Sequence, residues 1–166
     1  MAILEKLDSS VWSYCFEVPV EIAKRMIEGD HKRVKCTLNS TIEIQAGLMP
    51  KGEGNYFITL NKEVRKKLKL DIGDKIEVQI VKDESKYGLP MPEEMFELLA
   101  IDDEADSYFH ALTMGKQRSL LFLIGKPKNS DTRLKKALTV VDYLKSSKGK
   151  LDFKELNEAF KHSTHQ

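Results

Sequence analysis

Residues 14–38, YCFEVPVEIAKRMIEGDHKRVKCTL, and residues 56–80, YFITLNKEVRKKLKLDIGDKIEVQI, carry one pattern written twice, 42 positions apart and without a gap. Tyr14 meets Tyr56, Glu21 meets Glu63 and Lys24 meets Lys66. The apolar places also correspond: Phe16 with Ile58, Val18 with Leu60, Ile22 with Val64, Met26 with Leu68, Val34 with Ile76, Cys36 with Val78 and Leu38 with Ile80. Each copy reads strand–helix–strand. Such a unit cannot bury its own apolar face and is expected to pack against its copy. The reading predicts a small barrel with an internal two-fold repeat.

Working outward, residues 2–8 read as a short strand. Residues 12–18 alternate, with Trp12, Tyr14, Phe16 and Val18 on one face. Pro19 opens a helix, where its missing N–H costs nothing. Asn39-Ser40 is expected to join strands 33–38 and 41–48 as a two-residue hairpin turn, and Pro50 to Gly54 as a longer turn. Asn61 is the expected N-cap of a helix over 61–69. Strand 75–82 closes the second copy. Glycine, prolines and small polar residues then mark a linker over 85–91.

The chain turns helical after that. Pro92 opens a helix through Leu99. Asp102 or Asp103 caps the next, with Ala105, Tyr108, Phe109 and Leu112 as its apolar stripe and Gly115 as its stop. Residues 117–125 are apolar on all sides and fit a buried helix or a buried strand; the helical neighbours favour helix. Ser130 or Asp131 caps a helix to Lys145, with Leu134, Leu138, Val141 and Leu144 facing inward. Residues 152–162 make a last helix anchored by Phe153, Leu156 and Phe160. The fold class is therefore α+β: a double-split β-barrel over 2–84, then a small all-helical domain over 92–162.

Composition bounds the function. The chain is 41% hydrophobic and 32% charged with a net charge of +1, which fits a folded core and excludes a histone-like polycation. Cys15 and Cys36 lie in apolar alternating stretches and read as buried thiols of a reducing compartment. The start lacks the basic flank and apolar run of a signal peptide. The longest apolar run, Leu120 to Ile124, falls far short of the ~20 residues that span a bilayer. A soluble, cytoplasmic protein is expected, and since the repeat can close its own core, a monomer.

The signs of charge separate in the second half. Residues 92–106 hold seven acids (Glu93, Glu94, Glu97, Asp102, Asp103, Glu104, Asp106) and no base, while residues 115–150 hold ten bases against two acids. The basic stretch either attracts an anion or pairs with the acidic one.

These residues resemble known families. Trp12-x-Tyr14-x-x-x-Val18-Pro19-x-Glu21-Ile22-Ala23, the run Arg33 to Asn39, Gly52-Glu53-Gly54-x-Tyr56 and the run Gly73 to Val78 resemble a bacterial domain-of-unknown-function family. That resemblance implies a double-split β-barrel of the AbrB and MazE type, with both half-barrels fused in one chain. Pro92 with its helix, Gly115-Lys116-Gln117-Arg118 and Ile124-Gly125-Lys126-Pro127-Lys128-x-x-Asp131-Thr132-Arg133 resemble the helical domain of the bacteriocin-protection, YdeI or OmpD-associated family. It implies a small bacterial cytosolic protein tied to envelope stress or peptide resistance, without established chemistry and with no catalytic residue carried over.

Two basic sites are candidates. Lys126, Lys128 and Arg133 surround an expected helix N-terminus, whose free N–H groups suit an anion, and Lys116 and Arg118 extend the set. The alternative is that Arg133 bridges an acid of 92–106. Lys62, Arg65, Lys66, Lys67 and Lys69 make a basic helix that fits nucleic-acid phosphates, or a solvated face. Trp12, Tyr14 and Tyr56 read as core aromatics rather than a ligand pocket. His162 and His165 lack further metal ligands and read as a frayed end; His110 reads as exposed. Asn39-Ser40-Thr41 fits a glycosylation acceptor that a cytosolic chain would not use, and Glu21 and Glu63 suit their helix dipoles. The sequence carries no nucleophile elbow, P-loop, dinucleotide fingerprint or zinc-ligand pair, so no cofactor and no enzymatic activity are expected. The leading reading is a non-enzymatic stress or bacteriocin-protection factor that binds an anionic ligand or a protein partner. The alternative is a nucleic-acid-binding regulator.

Overall fold

A computed structural model describes residues 1–7 and 14–163; Trp12 and His165 lie outside the described residues. The chain divides into two compact units, Met1–Gly88 and Leu89–Gln166.

In the first unit the two copies meet strand to strand. Strand β1 is Ala2–Ile3, β2 Glu5–Lys6, β3 Tyr14–Val18, β4 Arg33–Leu38, β5 Ile42–Gly47, β6 Met49–Gly52, β7 Asn55–Thr59, β8 Lys75–Ile76 and β9 Val78–Lys82. Helices α1 (Val20–Met26) and α2 (Lys62–Leu68) follow β3 and β7. β3 runs antiparallel to β7 with Phe16 opposite Ile58, and β4 antiparallel to β9 with Thr37 opposite Gln79. Both are pairs of repeat mates. Exchanging the two copies therefore maps each ladder onto itself: Cys15 opposite Thr59 becomes Glu17 opposite Phe57.

The correspondence extends beyond the repeat. β1 pairs with β8 and β2 with β3; in the other half β5 pairs with β4 and β6 with β7. Ala2 opposite Ile76 mirrors Ala46 opposite Val34, and Glu5 opposite Cys15 mirrors Met49 opposite Phe57. These outer mates are 44 positions apart, because two extra residues fall between Lys6 and Tyr14. Leu4 separates β1 from β2 and Leu48 separates β5 from β6, with exposures of 0% and 2%. Each is a point where one strand leaves one sheet for another and drops its side chain into the common core of Phe16, Val18, Val34, Cys36, Leu38 and Ile58.

The ladders form three sheets, ordered β1-β8, β2-β3-β7-β6 and β5-β4-β9, and no closed barrel is seen among the described residues. The ladders break at Leu4, at Leu48 and at Glu77. At Glu77 the backbone N–H donates to the Asn39 side chain (2.9 Å), which splits the expected single strand 75–82 into β8 and β9.

The turn chemistry is local. Asn39 and Ser40 both take positive φ (47° and 52°), and the Thr41 N–H closes the turn on the Leu38 carbonyl at 2.9 Å. The expected longer turn over Pro50 to Gly54 is instead an edge strand followed by a two-residue turn at Glu53 and Gly54. Pro50 is tolerated because β6 is an edge strand. Asn61 caps α2, accepting from the Val64 N–H at 2.9 Å. Cys15 and Cys36 are both free and buried. Burial raises the Cys15 thiol and pushes Cys36 up to about 12, so neither is an activated nucleophile. Residues after β9 stay tied to this unit: Asp83 N–H donates to the Arg33 carbonyl, and Arg33 Nη2 donates to the Gly88 carbonyl at 2.6 Å.

The second unit holds α3 (Glu93–Ile101), α4 (Asp103–Ala111), α5 (Met114–Gly125), α6 (Ser130–Ser146) and α7 (Phe153–Ser163). Residues 117–125 are helical. Gly115 does not stop a helix; α4 ends at Leu112, and Gly115 lies in the first turn of α5, capped by Thr113. Gln117 is buried in this corner and donates through Nε2 to the Leu112 carbonyl at 2.9 Å, satisfying the end of α4. The inner stripe of α6 is Ala137, Val140, Val141 and Leu144; Leu134 and Leu138 lie on its flank, 40% and 41% exposed. Phe96 and Phe122 also face outward. His110 is half-buried rather than exposed, its Nδ1 3.0 Å from Asp106. After α6, Gly149 takes φ +80°, and a Cβ there would lie 2.8 Å from the Tyr108 ring. Only glycine fits both constraints.

Leu4 and Leu48 occupy equivalent buried positions, so Leu4→Ala and Leu48→Ala should each cost about 2–5 kcal/mol in urea unfolding. Ile72→Ala, at a half-exposed side chain, should cost under about 0.5 kcal/mol.

Candidate functional site

The corner between α5 and α6 is built from four linking residues and the first turn of α6. Asn129 caps α6, its Oδ1 accepting from the Thr132 N–H at 3.1 Å. Arg133 lies one turn into the helix and reaches two ways. Its Nη1 donates to the Pro127 carbonyl (3.1 Å) and the Lys128 carbonyl (2.6 Å). Its Nε and Nη2 both donate to Glu94 Oε1, at 3.0 and 2.9 Å. Ser130 Oγ donates to the same oxygen at 2.8 Å. Glu94 comes from the first turn of α3 and is only 9% exposed. A carboxylate of the chain itself thus sits where the basic start of α6 would take an anion. The Arg133 hydrogen bonds first, then the Glu94 backbone N–H and Ser130, hold the Glu94 carboxyl down at about 2.

A second bridge joins the same two charged stretches. Lys145 near the end of α6 lies 2.9 Å from Asp102 and 3.9 Å from Glu104. Asp102 also caps α4, accepting from the Ala105 N–H at 3.0 Å. That backbone bond first, and Lys145 next, lower its carboxyl, while the Asp102 hydrogen bond raises the Lys145 ammonium. The two stretches therefore pair through particular residues, and Arg133 and Lys145 are the bases so engaged.

The remaining predicted cations divide by position. Lys126 and Lys128 are exposed on the α5–α6 link. Lys116 and Arg118 sit toward the opposite end of α5, ten and eight residues from Lys126, or about 15 and about 12 Å along the axis at about 1.5 Å per residue. The structure brings Lys126, Lys128 and Arg133 into one corner and leaves Lys116 and Arg118 outside it.

On α2, Lys62, Lys66, Lys67 and Lys69 are exposed, and Lys67 pairs with Glu63 at 3.3 Å. Arg65 is separate from them: its guanidinium lies 3.5 Å over the Tyr14 ring. Lys69 takes the left-handed conformation (φ 52°) that ends the helix.

Three features escaped the sequence reading. Glu94 was one acid among seven, and its role follows only once α3 packs beside α6. A cavity of about 240 Å³ is lined by Arg33, Gln45, Thr59, Asn61 and apolar neighbours. A groove of about 420 Å³ lies between α6 and α7 and includes His162. The polar residues of α6 that line it recur at helical spacing (Thr139, Asp142, Tyr143, Ser146), a signal visible in the sequence. Among the described residues, no group of three His, Cys, Asp or Glu side chains is placed to hold a metal ion. Among them too, no helix is long and apolar enough to cross a membrane.

Comparison with known proteins agrees with the two-part organisation of the chain. Residues 1–80 match the family described as Domain of unknown function (DUF1905), and residues 89–146 match the family described as Bacteriocin-protection, YdeI or OmpD-Associated. No curated protein and no solved structure matches the chain. The chain thus carries a DUF1905 domain over residues 1–80 followed by a bacteriocin-protection, YdeI or OmpD-associated domain over residues 89–146.

Proposed function

We propose that this protein is a non-enzymatic bacteriocin-protection factor of the bacterial stress response, acting in the cytoplasm by binding an anionic ligand or partner at the α5–α6 corner. One observation carries the reading. Arg133 fixes the link between the helices through the Pro127 and Lys128 carbonyls while Glu94 takes its charge. Lys126 and Lys128 are thereby presented on an anchored backbone, their own charges exposed. In this reading Arg133 positions the loop, Lys126 and Lys128 meet the anion, and Lys116 and Arg118 supply longer-range attraction from the other end of α5. The family description of the helical region supports the protective role. The free thiols Cys15 and Cys36 fit a reducing compartment. The first unit is read as a double-split β-barrel sealed by its own two halves, which makes a monomer sufficient; the two ladders centred on repeat mates support it.

A second reading rests on α2, whose exposed Lys62, Lys66, Lys67 and Lys69 offer a row of charges to a phosphate backbone, with Arg65 held on Tyr14 beside them. It makes the protein a nucleic-acid-binding regulator. Binding of a DNA duplex would then weaken steeply with salt, with a log–log slope of about −0.9 per phosphate neutralised. No gel retardation of any duplex at about 50 mM salt removes this reading.

The first reading is tested with inorganic pyrophosphate as the anion, followed by NMR. The wild-type protein should show saturable shifts at residues 126–129. Lys126→Ala with Lys128→Ala should lose them with an unchanged thermal midpoint. Equal binding by that variant, or no saturable shift in the wild type, overturns the proposal.

The brace itself has an acid signature. Glu94 is held below its ordinary 4.5, at about 2, so the folded chain holds its proton less tightly than the unfolded chain does. Its contribution is complete above about 4.5 and is lost as the pH falls toward about 2. Glu94→Gln should lower the thermal midpoint at neutral pH, and the gap from wild type should narrow across that window in thermal scans.

A further inference from the structure

The α6–α7 groove has an unusual inventory of hydrogen-bonding groups. Its lining is Thr139, Asp142, Tyr143 and Ser146 from α6, with Ala159, His162 and Ser163 from α7. The three aliphatic hydroxyls have already committed their protons. Thr139 Oγ1 donates to the Lys135 carbonyl (2.8 Å), Ser146 Oγ to the Tyr143 carbonyl (3.0 Å) and Ser163 Oγ to the Phe160 carbonyl (2.9 Å). Each oxygen is left with lone pairs and no proton to give. Asp142 adds an exposed carboxylate that, among the described residues, makes no ion pair, although the Lys145 ammonium lies close enough to feel its charge. The His162 imidazole adds two ring nitrogens, one a donor and the other an acceptor in its uncharged form. The Tyr143 hydroxyl is already engaged: it donates to Glu155 Oε2 (3.0 Å) and accepts from the Asp152 N–H (3.1 Å), which pins the ring.

The groove therefore offers acceptors, one negative charge, a fixed aromatic ring and the small Ala159, and it offers few donors. A carboxylate or phosphate finds only the His162 ring N–H to donate to it there, and it meets the Asp142 charge. Ammonium and guanidinium groups are the opposite case, since they carry donors and no acceptor. Lys135 continues the α6 stripe one turn beyond Thr139 and repels a cation at that end, which favours seating the charge by Asp142.

We propose that the α6–α7 groove binds an organic cation, an alkylguanidinium or alkylammonium group, with its charge on Asp142 and the hydroxyl of Ser146, one turn apart on the same face of α6, and its carbon chain between Tyr143 and Ala159. The site is independent of the anion-binding corner. The volume of about 420 Å³ accommodates one such group with room for a longer attached chain. The group comes either from a free small amine or from a basic side chain of a peptide.

The test titrates the full chain with butylguanidinium and with its neutral near-isostere butylurea, reading backbone NMR shifts. Butylguanidinium should give saturable shifts at Asp142, Ser146, Ala159 and His162, and butylurea should give none. Asp142→Asn should weaken the dissociation constant by about tenfold or more, the order expected for a charge-assisted hydrogen bond. Ala159→Leu, which fills the groove while keeping a good helix former, should abolish the shifts with folding retained. Tighter binding of an acetylated, amidated arginine peptide than of butylguanidinium identifies the peptide source; equal binding identifies the free amine. Equal response to butylurea, or an unchanged constant in Asp142→Asn, overturns the proposal.

Discussion

The pairing of each half with its own mate governs the first unit. A strand–helix–strand segment exposes an apolar face that only another sheet can cover. Here the cover is the second copy, and both joining ladders are centred on equivalent residues, Phe16 with Ile58 and Thr37 with Gln79. Symmetry of that kind ties the two copies to a common register. A slip by one residue would turn Phe16 and Val18 out of the core in the β3–β7 ladder, and Val34, Cys36 and Leu38 in the β4–β9 ladder. Leu4 and Leu48 then do the same work at the two crossing points, each at the break between two short strands.

The second unit depends on a different kind of constraint. Its helices are joined by short links, and charges at their ends decide how the links are held. Arg133 is shared among Glu94, Pro127 and Lys128, and Lys145 between Asp102 and Glu104. Breaking a mostly buried carboxylate from its guanidinium would leave an uncompensated charge, so the arrangement is more specific than a surface ion pair. Structure thus consumes part of the charge that the sequence displays. What remains open to ligands is smaller and more definite: Lys126 and Lys128 at one corner, a lysine row on α2, and an acceptor-lined groove beside α7.

The repeat was legible because its spacing is gapless and its mates fall on alternating or helical positions. Two helix caps were legible for the same local reason, Asn61 and Asp102, while α6 is capped by Asn129 rather than by the expected Ser130 or Asp131. Errors came where a distant partner decides, as at Pro50 and along α6, or where a competing local signal wins, as at Gly115. Pro50 looked like a turn residue, but an edge position lets it sit in a strand. Gly115 looked like a stop, but Thr113 caps the following helix before it. Leu134 and Leu138 match the spacing of an inward stripe, yet α6 buries Ala137 and Val140 in their place, together with the expected Val141 and Leu144.

The sequence by itself determined the two copies, the alternation of their strands, the helical character of the second half and the separation of its acidic and basic stretches, because these follow from local periodicity and composition. Only the tertiary structure decided which charges neutralise one another. A list of seven acids and ten bases is compatible with many pairings. The packing of α3 and α4 against α6 selects Glu94 for Arg133 and Asp102 for Lys145, because Coulomb attraction and hydrogen bonding act over a few ångströms that no linear spacing records.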